Sequence, residues 1–201
     1  MAMTILYPVG SHLYVNLTNQ CPCSCTFCIR QNGDGAYGSD SLWLEHEPDM
    51  AEIREAFAKF TLSDYTELVF CGYGEPTERL DLLIRTAKYA KSLEGCPKLR
   101  LNTNGLSDKI HGEPTAAKLE GLLDTVSISL NAGTKDAYLA VTRPKWDDAF
   151  EALQAFALDC KQYVPNVMFT VVDVISKEEI DAAQALSDSL GIPLRVRPYD
   201  S

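Results

Sequence analysis

Short runs of β-favouring residues alternate with helically periodic stretches from one end of this chain to the other. That alternation leaves few folds open, because consecutive strands separated by helices pair in parallel through crossover connections. The candidate strands cover residues 13–17, 67–71, 99–103, 125–130, 167–174 and 194–197. Between them, helical periodicity covers residues 50–60, 80–92, 114–122, 147–162 and 178–190. Asp49 with Glu52 three positions on forms a capping-box pattern before the first helix, and Gly191 followed by Pro193 is a stop after the last. A closed barrel of eight such units needs about 250 residues. With 201 residues and about six units, the expectation is an α/β fold, a partial open (β/α)6 barrel that uses residues 1–201 as a single domain.

The strand faces say what such a barrel would hold. A packed barrel interior is lined with branched aliphatic side chains, yet the period-2 alternation here opposes an apolar face to a polar one. Val126, Ile128 and Leu130 lie opposite Ser127, Ser129 and Asn131; Leu99, Leu101 and Thr103 lie opposite Arg100, Asn102 and Asn104. In the first strand Leu13, Val15 and Leu17 oppose Tyr14 and Asn16, and in the last Leu194 and Val196 oppose Arg195 and Arg197. If helices cover the apolar faces, the polar ones line a cavity for a polar ligand; otherwise they are solvent-facing edges of an ordinary sheet.

Charge and cysteine content narrow the classes further. Twenty-eight acids against eighteen bases give a net charge of −10, which disfavours gripping a nucleic-acid backbone and favours a small-molecule substrate. The N-terminal residues 1–15 carry no basic n-region or cleavage site and read as the approach to a first strand; no stretch is long enough to span a membrane. There are seven cysteines, four of them crowded at positions 21, 23, 25 and 28. An odd count with such crowding and no export signal indicates metal binding in a reducing compartment, the cytoplasm, rather than a disulfide framework.

Cys21, Cys25 and Cys28 stand in the spacing CxxxCxxC directly after the first strand, where barrel active sites are built. Iron–sulfur clusters ordinarily take four thiolates, so a three-thiolate loop suits a cubane whose fourth iron binds something that reacts. Two other readings stand beside it: a structural zinc knot, for which paired CxxC knuckles are the usual arrangement, and an electron-carrier cluster with Cys23 or a distant cysteine as fourth ligand. Cys23 is a spare thiol or a rival ligand.

With Phe27 preceding the third cysteine, the loop resembles the hallmark of the radical S-adenosylmethionine (SAM) superfamily. The resemblance implies a [4Fe-4S] cluster on Cys21, Cys25 and Cys28, SAM chelated through its amine and carboxylate, and an electron donor such as flavodoxin or ferredoxin. Reductive cleavage would then release a 5′-deoxyadenosyl radical. Later strands resemble the family's SAM-contacting motifs in the family's order. Gly72, Tyr73, Gly74, Glu75 and Pro76 follow the second strand, and Glu75 with neighbouring carbonyls would receive the SAM ammonium, although any tight strand-to-helix turn looks similar. Asn104 ends the third strand, Ser129 and Asn131 end the fourth near the expected carboxylate and ribose, and Asp173 lies in the adenine-facing stretch after the fifth. The plain alternatives are a left-handed turn at Asn104 and Gly105, and a helix cap at Asn131.

A finer resemblance is to a small TatD-linked group, carried by Asn16, Leu17, Thr18 and Asn19 before the cysteines and Ile29 and Arg30 after them. Some proteins similar to that group act as queuine lyases, which implies a 7-deazaguanine-type substrate contacted by Asn16, Asn102, Arg195 and Arg197. An activase that makes a glycyl radical on a partner protein and a non-catalytic electron-transfer module are the other readings. Residues 31–43, rich in Gly with Tyr37 and Trp43, read as a lid or substrate loop, or else as an inert surface loop. Cys71 reads as a core thiol, and Cys96 and Cys160 as core thiols or residues on helix margins.

Overall fold

The computed structural model describes residues 3–199; Met1, Ala2, Asp200 and Ser201 fall outside the described residues. The chain opens with a hairpin that the sequence pattern does not announce, β1 (Leu6–Val9) antiparallel to β2 (His12–Val15), turned at Gly10 with φ +56°. Pro8 hides the first strand, because proline in a β run is tolerated only where its missing N–H faces no partner, as at this edge. Five further strands follow: β3 (Glu67–Phe70), β4 (Lys98–Thr103), β5 (Thr125–Ser129), β6 (Asn166–Val172) and β7 (Leu194–Arg197). The sheet order is the chain order, β1 to β7, and every pair from β2 onward is parallel. The sheet does not close, so the expected partial open barrel is present with one added antiparallel strand.

Leu13, Val15, Leu68, Phe70, Leu99, Leu101, Val126, Ile128, Val167, Phe169 and Val171 all lie in the main core under the helices. The helices are α1 (Met50–Phe57), α2 (Leu80–Ser92), α3 (Ser107–His111), α4 (Lys135–Thr142), α5 (Ala149–Tyr163) and α6 (Lys177–Leu190). Asp49 caps α1 in a complete capping box with Glu52, and α6 stops at Gly191, φ +60°, where Lys161 Nζ donates to the carbonyls of Leu190 and Gly191. α1 ends three residues earlier than its periodicity suggests, and residues 114–122 form only a 3₁₀ turn, Ala116–Leu119. The sequence pattern gives no sign of α3 or α4. α3 is too short to show a period, and α4 buries only Tyr138 and Thr142, one pair rather than a stripe. Among the described residues no helix is long and apolar enough to cross a membrane.

Candidate active site

The chain leaves β2 at the C-terminal end of the barrel, and residues 16–20 are stitched to the segment that returns after the cysteines. Asn16 Nδ2 donates to Leu42 O at 2.8 Å, Asn19 pairs both ways with the Leu44 backbone at 2.8 and 3.0 Å, and Thr18 Oγ1 donates to Glu47 at 2.7 Å. The cysteine loop is pinned from its other side by the last turn of α4 and the residues just after it. Thr26 N donates to Val141 O, Ser24 N to Thr142 O and Lys145 N to Pro22 O, each within 3.0 Å.

This clamp sorts the four thiols. Cys21, Cys25 and Cys28 are half-buried, whereas Cys23 is buried in the main core, bridged to Pro144 and approached by Asn104 Nδ2 at 3.8 Å. Hydrogen bonds from the Cys23 thiol lower the pKa of Cys21 and of Cys25, so those two ionise more readily; the pKa of Cys23 itself is pushed up and it stays a thiol. The Arg30 guanidinium adds a positive charge beside Cys25. Three reachable sulfurs on one loop, two primed as thiolates beside a cation, suit the three protein corners of a cubane. Among the described residues no three His, Cys, Asp or Glu side chains gather closely enough to share a single ion.

The turn after β3 is held close against the start of the cysteine loop. A Cβ on Gly72 would lie 2.1 Å from Asn16 Oδ1, and one on Gly74 would lie 2.3 Å from Thr18 O and 2.6 Å from Gln20 O. Glycine is required because this backbone presses against the base of the cysteine loop. Glu75 N donates to Gln20 O at 2.8 Å, and the buried Glu75 carboxylate accepts from Thr77 N, Thr77 Oγ1, Thr103 Oγ1 and Asn104 N. Burial raises its pKa and those donors pull it partly back. Glu75 therefore ties the ends of β3 and β4 together beneath the cysteine loop.

Asn104 is committed to its turn: its Oδ1 accepts from Leu106 N at 2.9 Å, and Gly105 follows with φ +77°. Ser129, half-buried, ends β5. Beyond it the pleat stops, since Leu130 N and Asn131 N both donate to Thr170 O and Asn131 takes φ +63°. The alternation that groups Ser129 with Asn131 on one face does not extend past Ser129. The cap of α4 is Thr134, not Asn131, and the Asn131 side chain has no hydrogen bond among the described residues. Asp173 is exposed and accepts the Tyr199 N–H at 2.7 Å. Phe27 is half-buried on the cysteine loop.

Residues 31–43 lie across the inner face of the β1–β2 hairpin. Ala36 and Leu42 pack with Tyr7 and Tyr73 in a second small core, edged by Val9, Tyr14 and Ile29. Tyr73 Oη donates to Gly33 O at 2.7 Å, Trp43 stands edge-on to Tyr73 at 5.1 Å, and Arg30 lies over the Trp43 ring at 5.6 Å. Asn32 Nδ2 donates to Tyr199 Oη at 3.0 Å, joining this strap to the chain beyond β7. The strap is thus packed against the inner face and held there by its own contacts.

Beneath it the inner face is polar. Arg100 pairs with Glu67 at 3.1 Å, and Cys71, expected as a core thiol, faces the lumen beside Asn102, Arg100 and Arg197. Burial pushes the Cys71 thiol and the Tyr14 phenol up, so both stay neutral. Four buried polar atoms have no partner among the described residues: Asn16 Oδ1, Arg100 Nε, Asn102 Oδ1 and Arg197 Nε. Arg195, expected to point inward with Arg197, is exposed on the edge strand. Arg100 and Cys71 are the residues that sequence reasoning left out of the site. Both carried the needed signal, since Arg100 alternates with Leu99 and Leu101, and Cys71 with Leu68 and Phe70.

An unclosed parallel barrel with a three-cysteine loop after its first parallel strand is the architecture of radical SAM proteins. The sequence matches the Radical SAM superfamily over residues 15–185, and the chain belongs to that superfamily, whose cofactors are a [4Fe-4S] cluster and SAM. It is 32% identical over 152 residues to GTP 3′,8-cyclase of Streptomyces coelicolor, a match covering 73% of this chain and 41% of the relative. The chain thus spans about two fifths of that relative's length. Among solved structures, Streptococcus suis SuiB bound to its precursor peptide SuiA superposes with TM-score 0.68 at 14% identity over 97% of this chain and 40% of that one. Methylornithine synthase superposes with TM-score 0.62 at 12% identity over 94% of this chain and 53% of that one. Both show the shared fold.

Proposed function

We propose that this chain is a radical SAM enzyme, one domain over its whole length, acting on a small polar substrate that carries a guanine-type base. Cys21, Cys25 and Cys28 hold the cluster, Cys23 donates to their sulfurs, and Ser129 and Asn131 contact SAM. When bound, the cluster and SAM supply a 5′-deoxyadenosyl radical. The observation that carries the substrate reading is the polar, hydrogen-bond-hungry inner face, where Arg100, Asn102 and Arg197 each keep an unpartnered atom. A guanine-type base unites two lines of support. The TatD-linked resemblance suggests queuine, a 7-deazaguanine cleaved by a lyase, and the Streptomyces coelicolor relative is named for a guanine nucleotide. A cytoplasmic setting, with flavodoxin or ferredoxin as electron donor, suits three oxygen-sensitive thiolates.

The test is anaerobic reconstitution with iron and sulfide, then incubation with SAM, a strong reductant and, separately, queuine, GTP or a metabolite extract. Substrate-dependent 5′-deoxyadenosine with queuine or GTP supports the reading. Growth of 5′-deoxyadenosine only with an extract fraction free of purine-type compounds overturns it.

A further inference from the structure

Three of the four unpartnered buried atoms belong to side chains that converge on one thiol. Cys71 lies within electrostatic reach of Arg100 and Arg197 and receives a hydrogen bond from Asn102; Tyr14 feels the same two arginines. Arg100 and Asn102 are two apart on β4 and so share the inward face. Leaving a buried polar group unpaired is costly, so three in one place indicate a partner that the fold is built to receive. Their chemistry specifies that partner. Two Nε–H groups are donors only, and an amide oxygen is an acceptor only. A carbonyl oxygen has two lone pairs for the two donors, and an adjoining N–H would satisfy Asn102 Oδ1. A carboxylate offers lone pairs without a donor and would leave Asn102 facing negative charge. Glu67 already neutralises Arg100 at 3.1 Å, whereas Arg197 has no ion pair among the described residues.

We infer that the floor of the lumen is a recognition subsite for a neutral lactam edge, O=C–N–H, with Arg100 and Arg197 donating to the carbonyl and Asn102 accepting from the N–H. This rests on the reading of a guanine-type substrate and names the residues that would select it. Tyr14 and Cys71, held neutral, form the wall of the subsite. Arg195, exposed at the edge, takes no part.

The experiment is anaerobic calorimetric titration of the cluster- and SAM-loaded protein with four probes. They are 7-deazaguanine, its 2,6-diamino analogue lacking both the carbonyl and the N1 proton, uracil as a lactam that is not a purine, and malonate. At least tenfold tighter binding of 7-deazaguanine than of the diamino analogue is expected, and Asn102→Leu and Arg197→Met should each erase that preference in proteins that keep native circular dichroism and iron content. The analogue comparison on the unaltered protein stands even where a variant fails to fold. Binding of uracil but not 7-deazaguanine, lost in both variants, supports the lactam subsite while refuting the guanine-type substrate. Equal binding of 7-deazaguanine and its diamino analogue, failure of every lactam to bind, or malonate binding that depends on Arg197 but not on Asn102 overturns the inference.

Discussion

A single methyl group at Gly74 tests whether the turn after β3 holds the cysteine loop in place. In Gly74→Ala the new Cβ lies 2.3 Å from Thr18 O and 2.6 Å from Gln20 O, where ordinary contact begins at 3.4 Å. Both obstructing atoms are backbone, so the loop base must retreat by about 1 Å. Gln20 O also accepts the Glu75 N–H at 2.8 Å, and such a retreat stretches that bond beyond the useful limit of about 3.2 Å. The lost bond costs about 1 kcal/mol and the overpacking about 1–3 kcal/mol, for a total of roughly 2–4 kcal/mol. In a chain of this size that lowers Tm by roughly 5–15 °C. Because Gln20 directly precedes Cys21, iron bound after anaerobic reconstitution should fall as well. Gly112→Ala is the comparison: its Cβ meets nothing within 4 Å, and φ +68° alone strains it, at about 1–2 kcal/mol. Thermal melts and iron assays of both variants decide the matter. A Gly74→Ala protein as stable as Gly112→Ala and fully loaded with iron would refute the account of why glycine stands there.

Alanine at Cys21, Cys25 or Cys28 should abolish bound iron and its visible absorption, while Cys23→Ala should retain both; loss of the cluster on Cys23→Ala overturns that assignment. Replacing Ser129 and Asn131 together by Ala should weaken SAM binding about tenfold or more, given about 1–1.5 kcal/mol per lost hydrogen bond, with iron content unchanged; equal affinity by equilibrium dialysis would move the SAM contacts elsewhere. Glu75 has a raised folded pKa, so its contribution to stability is full below the ordinary carboxylate value of about 4.3 and is lost as pH rises through its folded value. In urea titrations across that window the unaltered protein should therefore lose stability relative to Glu75→Gln as pH rises, and a gap that widens in its favour contradicts the sign.

The alternation of strands and helices, the capping box at Asp49 and the stop at Gly191 were readable in the chain because each is a local pattern of neighbours. The cysteine spacing was readable for the same reason, and it carried the class of chemistry with it. What lay out of reach was set by residues far apart in sequence. Nothing near Gly74 says that Thr18 and Gln20 will press against it, and nothing near Asn16 or Asn19 says that they will hold Leu42 and Leu44. Asn131 looked like a partner of Ser129 by period, until the left-handed backbone ended the strand.

The sequence by itself determined an open parallel barrel with a three-cysteine loop, since periodicity and spacing act over a few residues. The tertiary structure alone decided which of four thiols turns into the core, that the strap of residues 31–43 lies against the inner face, and that Arg197 reaches the lumen while Arg195 does not. Those outcomes depend on which surfaces the folded sheet brings together and which edge it leaves open, and no local pattern encodes either.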